Sequence, residues 1–245
     1  MLAIKIKGLK KVYRSSQLLA VKRTLALDDF NLEINDNEIF GLLALNGSGK
    51  TTAIKLILGL LFPTAGDIYV FDRKMPSQEA LSNIGYLPEV SYFFQYLTAE
   101  EILKFYGQLS GVRAGELKKK IEEVLEIVDL TKDKDRRLGE FSKGMLKRLG
   151  MAQALLHDPR LLLLDEPMEG LDPVGIRNMR ALILRLKEQG KTVLMSSHLI
   201  SEVAKVCDRV GILHQGKIRQ IVAVKGRETN LEELFMGIVQ EANAK

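Results

Sequence analysis

The run Ala44-Leu45-Asn46-Gly47-Ser48-Gly49-Lys50-Thr51-Thr52 lies between two patterns of different period, and no other stretch limits the possible folds as tightly. Residues 38–43 before it form a short apolar run of strand character. After it, Ile54, Leu56, Ile57, Leu60 and Leu61 recur at helical spacing over residues 51–61. A strand that turns through glycines directly into a helix is half of a βαβ unit. The chain is therefore expected to fold as layered α/β, with a mostly parallel sheet flanked by helices.

The rest of the chain extends this pattern. Residues 4–6, 26–34 and 67–70 read as further strands, of an N-terminal antiparallel β part. A helical middle follows: residues 99–109 behind the capping pair Thr98 and Glu101, then 116–128 and 145–156. Strand and helix then alternate again: strand 161–165, helix 174–188 stopped by Gly190, strand 192–196 and helix 199–206. A strand pair, 210–213 and 217–220, turns at Gln215-Gly216, and a last helix spans 231–239. This organisation predicts one α/β domain. Residues 1–88 and 159–222 make its core, 89–158 a helical insertion, and 223–245 a tail.

The glycine-rich turn has a definite chemistry. Gly47 and Gly49 let the backbone come close to a polyphosphate, whose oxygens then meet successive N–H groups from Asn46 to Thr52 and the positive end of the helix dipole. Lys50 can reach the terminal phosphates, and the Thr51 hydroxyl can ligate Mg²⁺. The pattern G-x-x-x-x-G-K-[ST] is broken once, at Ala44, which costs little unless that position needs positive φ. Leu161-Leu162-Leu163-Leu164-Asp165-Glu166 is a buried-strand pattern ending in two acids. One carboxylate there can hold a divalent cation, and the next can deprotonate an attacking water.

Composition narrows the setting. Net charge is +5, but the lysine run 118–120 is followed by Glu122 and Glu123, and the basic stretch 132–137 contains Asp133 and Asp135. Charge alone does not predict nucleic-acid binding. No apolar run approaches the roughly 18–20 residues of a membrane span. The single cysteine, Cys207, excludes an internal disulfide. These features predict a cytoplasmic chain without a direct membrane span.

Taken in order, the motifs resemble those of an ATP-binding subunit of an ABC transporter, over nearly the whole length. Asp165 and Glu166 match the Walker B aspartate and catalytic glutamate, and Phe141-Ser142-Lys143-Gly144-Met145 falls where the signature is expected. Gly170-Leu171-Asp172-Pro173 resembles the D-loop, Ser196-Ser197-His198 the H-loop, and Ile84-Gly85-Tyr86-Leu87-Pro88-Glu89 the Q-loop. Tyr13 stands where an aromatic stacks on adenine, although an edge-strand tyrosine reads the same way.

The resemblance implies a P-loop NTPase core of RecA-like type, with ATP and Mg²⁺ as ligands. It implies hydrolysis by Glu166 with Lys50 and His198, and a cation held by Thr51, Asp165 and Glu89. Ser142, Lys143, Gly144 and Asp172 would face the ATP of a second ATP-binding subunit in a head-to-tail homo- or heterodimer. It also implies transmembrane permease subunits docked near residues 89–97, where Tyr92, Phe93, Phe94 and Tyr96 cluster, and a location on the inner face of the cell membrane. The signature, Q-loop and tail resemble exporters of drugs, polysaccharides or peptide antibiotics.

Five positions depart from the family pattern: Ala44, Glu89 for glutamine, Lys143 and Met145 within the signature, and Glu169 in the D-loop, where a small hydroxyl residue is common. Ala44, Lys143 and Met145 leave open a regulatory module with little hydrolysis, against which the intact Glu166 and His198 argue. An ABC-type ATPase acting on ribosomes or DNA is the other alternative, disfavoured by the single cassette and the absence of heptads.

Overall fold

The computed structural model describes residues 1–17, 20–224 and 230–243, with side chains at 15–22 and 241–243 set aside. Packing divides the chain into two compact units, Met1–Leu81 with Leu194–Lys245, and Ser82–Val193.

The first unit opens on a long antiparallel hairpin, β1 (Leu2–Gln17) and β2 (Ala20–Asn35). Ile4 and Ile6 point inward by simple alternation. Register shifts between Ile6 and Leu9 and between Leu9 and Lys11 then change the phase, so that Leu9 is buried as well. After β3 (Ile39–Leu43) and α1 (Lys50–Ile57), β4 (Ala65–Val70) pairs with β1, and the short β5 (Arg73–Lys74) pairs with β4. These four form the sheet β2-β1-β4-β5. The segment closes with α2 (Gln78–Leu81). Gly66 has φ +88°, and a Cβ there would lie 2.4 Å from the carbonyl oxygen of Gly8, so only glycine lets β4 approach β1 this closely.

The second unit begins with β6 (Ile84–Leu87) and continues through α3 (Ala99–Leu109), α4 (Ala114–Ile127), α5 (Lys143–Leu155), β7 (Leu161–Asp165) and α6 (Pro173–Glu188). β6 and β7 run parallel, with Ile84 opposite Leu161 and Leu87 opposite Leu164. All five residues of β7 are buried, as expected of a strand covered on both faces. The capping box of α3 is complete: Thr98 Oγ1 accepts from the Glu101 N–H, and the Glu101 carboxylate accepts from the Thr98 N–H.

The chain re-enters the first unit within β8 (Thr192–Ser197) and runs through α7 (Ile200–Val206), β9 (Arg209–His214), β10 (Lys217–Ala223) and α8 (Leu231–Asn243). There the strand order is β10-β9-β3-β8, with β3 and β9 parallel and β10 antiparallel to β9. The architecture is α/β with a mostly parallel sheet, an antiparallel N-terminal sheet and a helical segment, as the sequence predicts.

Several local expectations need correction. α1 ends at Ile57, not at residue 61, because Leu58 caps it and Gly59 turns to φ +68°. β1 and β2 are far longer than residues 4–6 and 26–34. β5, β6 and α2 have no counterpart in the sequence reading.

Candidate functional site

The glycine-rich loop between β3 and α1 lies in the first unit. Gly47 (φ +80°) and Gly49 (φ +108°) take backbone conformations that L side chains avoid. Ala44 is not among the residues at positive φ, so alanine in place of the first glycine strains nothing. It is fully buried, and its N–H donates to the Ser197 carbonyl at 3.2 Å. His198 follows Ser197 directly and is half-buried, so one hydrogen bond ties the start of the loop to the chain beside His198. The buried Lys50 folds its ammonium back onto the Ala44 carbonyl at 2.8 Å.

Two further segments brace this loop. The Gly216 N–H, in the β9–β10 turn, donates to the Ser48 carbonyl at 3.2 Å, and Gly216 in turn accepts from the Asp28 N–H at 3.0 Å. A Cβ at Gly49 would stand 2.7 Å from the Ala26 carbonyl oxygen.

The first turn of α1 carries no side-chain cap and no acidic residue. Thr51 and Thr52 are half-buried, and Asn46 and Gly47 are exposed. An uncapped helix start behind two glycines at positive φ fits the oxygens of a polyphosphate. Tyr13 lies nearby: its hydroxyl is 3.3 Å from Thr52 Oγ1, its ring is partly exposed, and Lys11 Nζ stands 5.3 Å from the ring centroid.

The acids lie in the second unit. β7 delivers Asp165 and Glu166 as buried carboxylates at its carboxyl end. Glu166 has φ +48°, a conformation that costs a non-glycine residue roughly 1–3 kcal/mol and is concentrated at functional positions. Burial, followed by the charges of Asp165 and Glu89, pushes the Tyr86 hydroxyl up to about 12.

The start of α5 is exposed at Ser142 and Lys143. Ser142 Oγ accepts from the Met145 N–H at 3.2 Å. Asp172 caps α6 in the same way, accepting from the Gly175 N–H at 2.6 Å. Ser142, Lys143, Gly144, Leu171 and Asp172 share the lining of a cleft of ≈ 460 Å³. Glu89 is exposed; beyond it Tyr92 (86% exposed), Phe94 (52%) and Tyr96 (68%) stand out to solvent, while Phe93 packs edge-on against Tyr106.

Among the described residues, no group of three or more His, Cys, Asp and Glu side chains could hold a metal ion unaided. Thr51 offers a hydroxyl and Asp165 a carboxylate, each a hard oxygen donor of the kind that Mg²⁺ takes.

The sequence reading passed over two features. One is the φ of Glu166, which leaves no trace in residue type. The other is Lys147, a buried lysine in α5 whose ammonium donates to the Glu89 carbonyl at 2.7 Å. Its only signal is its place: a lysine on the helix face that carries Leu146 and Gly150.

A phosphate-cradling loop between strand and helix, together with a buried strand ending in two acids, defines a P-loop nucleotide-hydrolysing cassette. Comparison with known proteins agrees. The profile described as ABC transporter matches residues 27–169. The bacitracin transport ATP-binding protein BcrA of Bacillus licheniformis is 43% identical over 218 residues, covering 88% of this chain and 68% of that protein. An uncharacterized ABC transporter ATP-binding protein of Synechocystis sp. is 37% identical over 242 residues, covering 97% and 68%.

A solved ATP-binding subunit of an ABC transporter superposes with TM-score 0.82 at 26% identity, covering 97% of this chain and 99% of that one. A dimeric ATP-binding cassette in a post-hydrolysis state, bound to ADP and Pi, superposes with TM-score 0.81 at 25% identity, covering 91% and 100%. The chain belongs to the ABC transporter family, as an ATP-binding subunit with ATPase activity.

Proposed function

We propose that this subunit closes head to tail on a second ATP-binding subunit, with two ATP molecules between them, and so drives export through separate transmembrane subunits. The observation that carries the two-chain arrangement is the cleft at the start of α5. The phosphate loop already provides for one nucleotide, yet Ser142, Lys143 and Gly144 form a second, exposed helix start suited to an anion. The bound dimeric cassette among the similar structures and the bacitracin transport name of a 43% identical relative support the dimer and the direction of transport.

The roles follow from the side chains. Glu166 accepts a proton from the attacking water and aims it at the γ-phosphorus. Lys50 and His198 hold the charge that develops on the phosphoryl oxygens. Tyr13 stacks on the adenine, and residues 46–52 hold the phosphates. Thr51, Asp165 and Glu89 would be the residues to hold Mg²⁺, which would supply further charge neutralisation. Residues 1–88 and 159–222 act as the nucleotide core, 89–158 as the helical arm and 223–245 as the tail.

The exposed Tyr92, Phe94 and Tyr96 present the kind of aromatic surface enriched at interface cores, suited to a transmembrane subunit at the inner face of the membrane. Among the described residues no helix is long and apolar enough to cross a membrane.

The test is steady-state ATP hydrolysis against protein concentration, beside Glu166→Gln. Activity should rise more steeply than linearly and fall by at least ~10² in the variant. Linear activity would overturn the two-site reading, and a fully active Glu166→Gln the role of Glu166 as the base.

A further inference from the structure

The second unit contains a buried cation that the roles above do not use. Lys147 is only 7% exposed, a rare state for lysine, and costly unless the charge is paired and hydrogen-bonded. Its ammonium donates to the carbonyl of Glu89, 58 residues earlier in the chain, at 2.7 Å. Burial pulls the ammonium below the ordinary lysine range, against the carboxylates of Glu169, Asp165, Glu89 and Glu166, which favour its charged form.

The same helix face approaches the segment after Glu89 at a second point. A Cβ at Gly150 would lie 2.6 Å from Ser91 Oγ and 2.7 Å from Leu87 Cδ1, so the contact depends on glycine. Glu89, Ser91, Lys143, Leu146, Lys147 and Glu169 share the lining of a cleft of ≈ 430 Å³. Packing alone would be served by methionine, which has nearly the length of lysine and no charge to desolvate.

We propose that Lys147 is a positioning residue for ATP hydrolysis: by clipping the Glu89 carbonyl to α5 it holds residues 89–91 in place, and with them the start of the exposed aromatic segment. α5 begins at the signature residues, and 89–97 is the stretch proposed for the transmembrane partner, so the clip ties one to the other. The inference rests on the function proposed above for Glu89 and for the cleft at the start of α5.

The experiment compares wild type with Lys147→Met in two measurements: amide hydrogen exchange along residues 89–97, and kcat and KM for ATP. In Lys147→Met, exchange in 89–97 should accelerate while α6 keeps its wild-type protection. kcat should fall by about 10–100-fold, the scale of a misplacement of about 1 Å, with KM within about twofold. Lys147→Arg, which keeps a charged donor, should recover part of kcat. Unchanged exchange in 89–97, or loss of kcat only in step with loss of folded protein, would overturn the clip.

If Lys147→Met does not fold, Gly150→Ala tests the same contact from the other side, since its methyl group would push Ser91 away. Wild-type exchange and wild-type kcat in that variant would equally overturn the clip. A wild type that does not hydrolyse ATP would refute the function proposed above, while the exchange comparison would still decide the clip.

Discussion

Replacing Gly49 by alanine adds one methyl group at the point where the phosphate loop becomes α1. Two costs follow from the structure. Gly49 sits at φ +108°, ψ +7°, where a non-glycine residue is strained by roughly 1–3 kcal/mol. The added Cβ would also stand 2.7 Å from the Ala26 carbonyl oxygen and 2.9 Å from Leu27 Cδ2. Backbone cannot rotate away as a flexible side chain does, and overpacking of this kind adds roughly 1–3 kcal/mol.

Together these costs come to about 4 kcal/mol, or a loss of about 10 °C in Tm for a chain of this length. Gly47→Ala is the internal control. It has φ +80° but nothing within 4 Å of its Cβ, so only the backbone cost of about 1–2 kcal/mol applies, worth about 4 °C. Thermal melts of both variants without nucleotide, followed by far-UV circular dichroism, measure the difference. Equal melting temperatures would refute the claim that Ala26 confines the loop.

Three other expectations are independent of that one. Burial holds the His157 imidazole below its usual range, against the opposing pull of its hydrogen bond with the Ile84 carbonyl. The unfolded chain therefore takes up this proton first, and stability should fall as pH drops below about 6.5; His157→Gln should flatten Tm against pH between about 7 and 5, and an unchanged slope would exclude His157 as the cause. Asp172→Ala removes the cap of α6 and should cost about 1 kcal/mol in denaturant unfolding, with Asp172→Asn close to wild type. Leu163→Ala opens a cavity in the fully buried β7 and should cost about 2–5 kcal/mol, measured in the same way.

The features legible in the sequence are those in which a few neighbouring residues decide the backbone. The turn through Gly47 and Gly49, the Thr98–Glu101 capping box, the four leucines before Asp165 and the Gln215-Gly216 turn each declare themselves locally. The hairpin is longer than its alternation suggests because its bulges shift the phase between Ile6 and Lys11, so a period-2 pattern disappears where the strand continues. α1 is shorter than its apolar pattern because Leu60 and Leu61 keep helical spacing after Gly59 has ended the helix. At the candidate site, residue types pointed to Asp165 and Glu166, but the strained φ of Glu166 and the reach of Lys147 to Glu89 come from tertiary packing. A lysine within a helix ordinarily reads as a solvated face.

The brace on the phosphate loop also sets a rule of length. Ser48 hangs from the turn at Gly216, and that turn from Asp28, so three segments distant in sequence must keep a common register. Hairpin turns at a protein surface usually accept an extra residue at little cost. Here an insertion beside Gln215 would displace the amide that supports Ser48 and disturb nucleotide binding as a change within the loop would. A turn without chemistry of its own thereby comes under the same constraint as the residues proposed to hold the phosphates.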